Sequence, residues 1–145
     1  MVTHCSTHRR TVPEPIRSPQ DALRALGLAT DGGRDRAVVL ACLDADRRPL
    51  TLFIVDECPP QTECLAQSLE ILLGVASERP SPLAALVMAT SGPDRPTEPS
   101  ASDLELWPDL VGRCRKVGIA LLDWFILAPG AATSVATRRG EEVAW

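Results

Sequence analysis

Apolar and polar positions follow two patterns along the chain, short continuous apolar runs and longer segments with helical spacing. Four apolar runs have strand length, and a short edge strand is predicted at 132–136. The first run (37–44) is bounded by turn signals, which suggests a strand covered on both faces of a sheet. The second run returns after the short turn "ADRRP", which predicts an antiparallel hairpin. The four runs are residues 37–44, 50–55, 82–89 and 119–128.

Three segments have the spacing of helices. In "SPQDALRALGLA", Ser18 is a plausible N-cap and Pro19 fits the first helical position, with the helix expected to run to Gly27. Segment 61–79 repeats apolar residues every three or four positions and is the predicted central amphipathic helix. Segment 102–118 is the third, and Pro108 within it predicts either a kink or a helix that starts anew there.

These elements predict a mixed α/β (α+β) domain, in which strands pack against two main helices. The chain has 145 residues, a length typical of a single domain. Residues 1–17 are polar and carry two prolines, so we expect a flexible N-terminal tail there. The domain is predicted over 18–137, and residues 138–145 form a C-terminal tail.

Composition limits the classes of partner. The net charge is −4, the arginines are scattered and Lys116 is the only lysine, so direct nucleic-acid binding is not expected. No run reaches the length of a membrane span, and the N-terminus lacks the apolar segment of a secretory signal. The five cysteines form no CxxC pair, which favours reduced thiols and a cytoplasmic location.

One stretch carries the pattern of a known family. "ALVMATSGP" (85–93) is followed by "PSASD" (99–103), and "GIALLDWFIL" (118–127) lies downstream. In this order and spacing, the chain resembles the RadC-like branch of the JAB/MPN (JAMM) metalloprotease-like domains. Those domains carry a strand ending in H-x-H-P, then P-S-x-x-D at a helix start. Upstream, "PIRSPQDALRALG" (15–27) and "VVLACLDADRRPL" (38–50) extend the resemblance to roughly residues 15–137. It implies an MPN/JAB-like (cytidine-deaminase-like) fold.

The resemblance also implies a zinc site with residues missing. In active members two histidines and the aspartate hold Zn²⁺, a glutamate acts as general base, and the serine contacts the oxyanion or the water. Here Pro93, Pro99, Ser100 and Asp103 match the motif, and the metal-binding histidines do not. Their two positions are Thr90 and Gly92, the region of the general base holds Asp35 and Arg36, and Trp124 stands where a histidine is usual. One carboxylate cannot hold zinc, so no zinc cofactor is expected.

Ser100 and Asp103 have two interpretations. They are either the surviving half of a catalytic site or helix-capping residues, with Ser100 or Ser102 as the N-cap. Capping is favoured, because hydroxyls and carboxylates are the usual residues at helix starts.

Other candidate groups are weaker. Asp94, Glu98 and Asp103 could form a hard-cation site, although solvated acids explain them as well. Reactive thiols are conceivable at Cys58 and Cys64, whereas Cys42 and Cys114 are expected to be core residues. The only histidines, in the tract His4-Cys5-x-x-His8, are weak evidence for a metal.

The leading functional hypothesis is a catalytically inactive RadC-like JAB/MPN domain that acts as a protein-binding or scaffolding module, and the family resemblance allows a homodimer. Two alternatives stay open. One is a hydrolase, metal-dependent or nucleophile-based, that uses the residual Ser100 and Asp103 or a thiol such as Cys58. The other is a DNA-repair-associated protein, a role that RadC-like proteins carry by name and that the acidic charge disfavours.

Overall fold

A computed structural model describes residues 3–5, 14–30, 37–56, 62–78, 81–91, 98–128 and 130–145. Within these residues, six strands form one mixed sheet in the order β1-β3-β2-β4-β5-β6, and helices pack on both of its faces. The elements are β1 (Thr3–Cys5), α1 (Pro19–Thr30), β2 (Ala37–Leu43), β3 (Pro49–Asp56), α2 (Thr62–Glu78), β4 (Ala85–Ser91), α3 (Ala101–Lys116), β5 (Ala120–Ala128), β6 (Ala131–Ser134) and α4 (Val135–Arg138).

The sheet has β2 and β4 at its centre, and this explains the unbroken apolar runs. β2 pairs antiparallel with both β3 and β4, while β4 and β5 are parallel neighbours joined through α3. Every residue of β2 is buried, as expected for a strand covered on both faces. The mixed α/β class, the β2–β3 hairpin and the four main strands are therefore confirmed.

Alternate residues of the central strands face two separate cores. Val38, Leu40 and Cys42 face the cluster under α2 and α3, which also contains Trp124. Val39, Ala41 and Leu43 face the cluster under α1. This period of two is the geometric signature of a strand, and it divides the domain into three layers.

The first helix begins where expected and continues further than expected. The backbone N–H of Asp21 donates to Ser18 Oγ at 3.1 Å, which is the contact of an N-cap. The helix passes through Gly27 and continues to Thr30. A glycine inside a helix costs stability and does not by itself end the helix.

Pro108 neither ends nor restarts α3, which runs unbroken from Ala101 to Lys116. A proline has no N–H, so it cannot donate to the carbonyl of the residue four positions earlier. That carbonyl, of Leu104, instead accepts a 2.6 Å hydrogen bond from Arg139 Nη1. The helix therefore tolerates the proline because a side chain from a distant segment supplies the missing donor.

Both predicted tails are corrected where the structure describes them. Residues Thr3–Cys5 form β1, which pairs with β3, and Ile16 is buried in the core under α1. At the other end, the predicted strand over 132–136 stops at Ser134, which caps the short helix α4 by accepting the N–H of Thr137. The residues after α4 pack against α3 and the sheet. The sequence-based expectation was wrong there, because the apolar residues that fasten these segments are few and widely spaced.

Candidate functional site

Two buried residues on neighbouring strands occupy the centre of the candidate site. Thr90 is near the end of β4 and Trp124 is in β5, the parallel neighbour. Trp124 Nε1 donates a 3.0 Å hydrogen bond to Thr90 Oγ1. Thr90 is 1% exposed and Trp124 is 0% exposed, so the bond is shielded from water. The structure thus joins two of the positions where the resembled family carries histidines.

Ser100 and Asp103 form a reciprocal capping box at the start of α3. The N–H of Asp103 donates to Ser100 Oγ at 3.1 Å, and the N–H of Ser100 donates to Asp103 Oδ2 at 2.9 Å. Ser100 has extended backbone angles and is the N-cap, which settles the choice between Ser100 and Ser102. The capping interpretation is confirmed, since both side chains satisfy backbone donors that the helix leaves unpaired.

Some of the other candidate positions lie within the described residues and others do not. Pro99 is half-buried just before the N-cap. Seven of the residues named from the sequence lie outside the described residues: Asp35, Arg36, Gly92, Pro93, Asp94, Cys58 and His8. Ser91 ends β4, and its buried hydroxyl has no hydrogen-bond partner in the described part of the chain. Glu98 pairs with Arg138 at 2.6 Å, so this acid neutralises a cation of the same chain.

The donor set does not suit zinc. Among the described residues, no group of three histidine, cysteine, aspartate or glutamate side chains is arranged to hold a metal ion. Thr90 offers a neutral hydroxyl that already accepts the indole N–H, and Asp103 offers one carboxylate engaged in the capping box. Catalytic zinc sites use three protein ligands, commonly histidines with a carboxylate or thiolates.

Sequence reasoning missed Asp123, which is the most heavily buried acid among the residues that the structure describes. Asp123 is 1% exposed in β5 and accepts hydrogen bonds from the N–H of Trp124 (2.7 Å), Ser134 Oγ (2.7 Å) and the N–H of Ala136 (3.3 Å). Burial raises its pKa above the usual aspartate range, although these hydrogen bonds oppose the rise. The signal in the sequence is a single acid inside the apolar run "LLDWFIL".

A bulge in the sheet gives Asp123 its position. Leu86 is opposite Leu121 and Val87 is opposite Asp123, so Leu122 is an extra residue in β5. The Asp123 carboxylate then reaches Ser134 and Ala136, where β6 ends and α4 begins. This acid is therefore a structural anchor for the segment that follows β5.

The cysteines do not behave as one class. Cys64, at the start of α2, is in a disulfide, and its partner is a cysteine whose side chain lies outside the described residues. The expectation that all five cysteines are thiols was wrong, because sequence spacing does not show which cysteines the fold brings together. Cys42 and Cys114 are buried thiols as expected, and burial raises the pKa of Cys114 to about 12.

Two comparisons with known protein sequences find no relative of this chain. A search of protein-family models finds no model that matches this chain, and no curated protein sequence matches it. The helices in the described part of the chain include none both long and apolar enough to span a membrane.

Proposed function

We propose that the chain is a catalytically inactive RadC-like JAB/MPN domain that acts as a protein-binding or scaffolding module. The observation that carries the proposal is the capping box of α3. The motif serine and aspartate, which the resembled enzymes use in catalysis, bind each other's backbone N–H groups here.

The arrangement of the three matching segments supports this proposal. The stretch with "ALVMATS" is in β4, "PSASD" begins α3, and "ALLDWFILA" is β5 beside β4. This is the strand, loop, helix and strand order that the resemblance implies. The residues that would carry zinc chemistry differ, while the backbone elements that would carry them are present.

The contacts of Thr90 favour a site that has lost metal binding over a site that binds a different metal ion. A ligand at position 90 would have to turn toward the ion, whereas the Thr90 hydroxyl is directed at the N–H of a fully buried indole. Exchanging that bond for a metal would leave the Trp124 N–H buried without an acceptor, at a cost of about 1–3 kcal/mol.

The hydrolase hypothesis has less support at Ser100. A serine nucleophile needs a base that removes its proton and an oxygen directed at substrate. Ser100 Oγ instead accepts the backbone N–H of Asp103, and the Asp103 carboxylate accepts the N–H of Ser100. The only histidines in the chain, His4 and His8, precede the helix α1.

Metal analysis and a peptidase assay test the proposal together. We expect protein purified from zinc-supplemented cells to carry far less than stoichiometric zinc and to cleave neither peptide nor isopeptide-linked substrates. Stoichiometric zinc that Asp103→Ala removes, and that the control His4→Ala/His8→Ala leaves in place, would overturn the proposal. The control matters because the two histidines could hold zinc at a place remote from Asp103.

Asp103→Ala also separates the module from the hydrolase. For a capping residue the change lowers the free energy of unfolding by about 1 kcal/mol and leaves any binding activity intact. A catalytic residue would give the opposite result, an activity abolished at nearly unchanged stability.

A further inference from the structure

Residues 141–145, "EEVAW", form a strap that leaves α4 at a turn. Gly140 has a φ of +77°, and the N–H of Glu141 donates to the carbonyl of Ala136 at 3.0 Å, which closes the end of the helix. Beyond that bond, no backbone hydrogen bond fastens residues 142–145 to the rest of the described chain. The strap is therefore held by side chains.

The first anchor of the strap is the carboxylate of Glu141. Its Oε2 accepts a 2.7 Å hydrogen bond from Nε1 of Trp107, an α3 residue that is 2% exposed. Arg139 Nε lies 3.7 Å from the other oxygen of the same carboxylate, Oε1. A buried indole N–H and a guanidinium together favour a negatively charged side chain at this point.

The second anchor is an aromatic contact on the opposite face of the sheet. The rings of Trp145 and Phe125 are stacked, with centroids 6.3 Å apart and planes 15° from parallel. Phe125 and Trp145 belong to the core under α1, whereas Trp107 belongs to the core under α2 and α3. Val143, between the two anchors, packs against both cores, so the strap passes around the edge of the sheet.

That edge is only partly covered by strands. β6 pairs with Phe125 to Ala128, and beyond it α4 packs on β5, where the N–H of Ala136 donates to Asp123. The strap covers the surface between the Trp107 indole N–H and the Phe125 ring, and we call this surface the groove. Segments without backbone hydrogen bonds open at the lowest free-energy cost in a protein.

We propose that the strap is an internal ligand of this groove, and that the groove binds an extended peptide of a partner with a carboxylate side chain and an aromatic side chain four positions later. This rests on the proposed function as a binding module and names its class of partner. The partner peptide would take the positions of Glu141 and Trp145, with its carboxylate on Trp107 and its ring on Phe125. The strap regulates access, because the groove opens only when the strap leaves.

Competition between strap and partner gives a measurable expectation. An intramolecular segment competes at an effective concentration in the millimolar range, so a free peptide binds weakly to the closed protein. Removing the Trp145 ring weakens the strap and leaves the groove and its Phe125 wall unchanged. We therefore expect a peptide with the strap sequence to bind the full-chain variant Trp145→Ala at least about tenfold more tightly than it binds wild type.

Fluorescence anisotropy with fluorescein-labelled Glu-Glu-Val-Ala-Trp measures this difference. The control peptide ends in alanine in place of tryptophan, and we expect it not to bind. Trp107→Phe, made in the Trp145→Ala background, keeps an aromatic ring but removes the N–H, and we expect weaker peptide binding. Equal affinity for wild type and Trp145→Ala, or no binding to either, would overturn the proposal.

Hydrogen exchange keeps the test independent of peptide affinity. In wild type, the indole N–H of Trp107, which is bonded to Glu141 of the strap, should exchange orders of magnitude faster than the indole N–H of Trp124, which is bonded inside the sheet. Equal protection of the two indole N–H groups would show that the strap does not detach. That result would overturn only the proposal that the strap controls access to the groove. Stoichiometric zinc bound through Asp103 would instead overturn the proposed function.

Discussion

Trp124 Nε1 donates its hydrogen bond to Thr90 Oγ1 between two parallel strands, at a point without access to water. The Trp124 N–H thereby has an acceptor inside the sheet. Thr90→Val keeps the shape of the side chain and removes the acceptor. We expect it to lower the free energy of unfolding by about 1–3 kcal/mol, because the indole N–H is left unsatisfied.

Urea denaturation of Thr90→Val beside Thr90→Ser checks this expectation. The serine keeps an acceptor hydroxyl and loses only a methyl group, so it should be the more stable variant. Equal losses in both would mean that packing, and not the hydrogen bond, is what position 90 contributes.

The capping box makes a prediction about neighbouring serines. Ser100→Ala removes the acceptor for the Asp103 N–H and should cost about 1 kcal/mol of unfolding free energy. Ser102 is an exposed residue of the same helical turn and supplies the matched control. Ser102→Ala should change the urea midpoint little, and a loss as large as that of Ser100→Ala would contradict the role given to Ser100.

Asp123 predicts a pH dependence of stability. Because its folded pKa is raised, the native state binds the proton more tightly than the unfolded chain does. Ionising Asp123 costs more free energy in the folded protein than in the unfolded chain. This cost does not arise below the unfolded pKa of about 3.9, where Asp123 is protonated in both states, and it is fully present above the folded pKa. The Asp123 contribution should therefore fall as the pH rises through that interval.

Asp123→Asn, which stays uncharged, isolates this contribution. The stability difference between Asp123→Asn and wild type should shift in favour of the variant as the pH rises from 3 to 7. Asp123→Ala provides the contrast, since it removes the acceptor for Ser134 and for two backbone N–H groups. A difference between wild type and Asp123→Asn that stays constant over this range would contradict the raised pKa.

Pro108 and Arg139 should be energetically coupled. The Leu104 carbonyl now accepts a hydrogen bond from Arg139, and Pro108→Ala gives it a backbone N–H donor instead. We expect this variant to stabilise the protein by about 1–3 kcal/mol. Arg139→Ala should then cost less in the Pro108→Ala background than in wild type. A double-mutant cycle measured by thermal unfolding gives the coupling energy.

Arg138→Ala is the control for that cycle. Arg138 pairs with Glu98 and forms no bond with α3, so its cost should be the same in both backgrounds. Additive effects of Pro108→Ala and Arg139→Ala would show that Arg139 does not replace the missing donor.

Alkylation at pH 8 distinguishes the cysteines. Cys114, whose pKa burial raises to about 12, should stay unlabelled by iodoacetamide in native protein and become labelled in denaturant. Cys64 should react only after reduction, because it is in a disulfide. Mass spectrometry of the labelled peptides tests both, and native labelling at Cys114 would contradict its burial.

The sequence predicted the parts of this fold that depend on local periodicity. The runs at 37–44 and 119–128 alternate between two cores, and the amphipathic segment 61–79 is α2, because burial of an apolar face dominates there. The capping box was also predictable, since Ser100 and Asp103 have the spacing that reciprocal capping requires.

Contacts between distant segments could not be predicted. The hydrogen bond from Arg139 to Leu104 joins residues 35 positions apart, and no local pattern at Pro108 signals that it exists. Asp123 is similar, because its importance comes from a bulge that only strand pairing reveals. The disulfide at Cys64 likewise depends on proximity in space.

The distribution of the tryptophans makes the protein its own optical reporter. The chain contains no tyrosine, so its intrinsic emission comes from three indoles in three surroundings. Trp124 is wholly enclosed in the sheet, Trp107 is nearly so beneath α3, and Trp145 is partly exposed. Acrylamide should therefore quench the emission of Trp145 readily and that of Trp107 and Trp124 little. Partner binding could be followed by a change in that accessible fraction, without any added label.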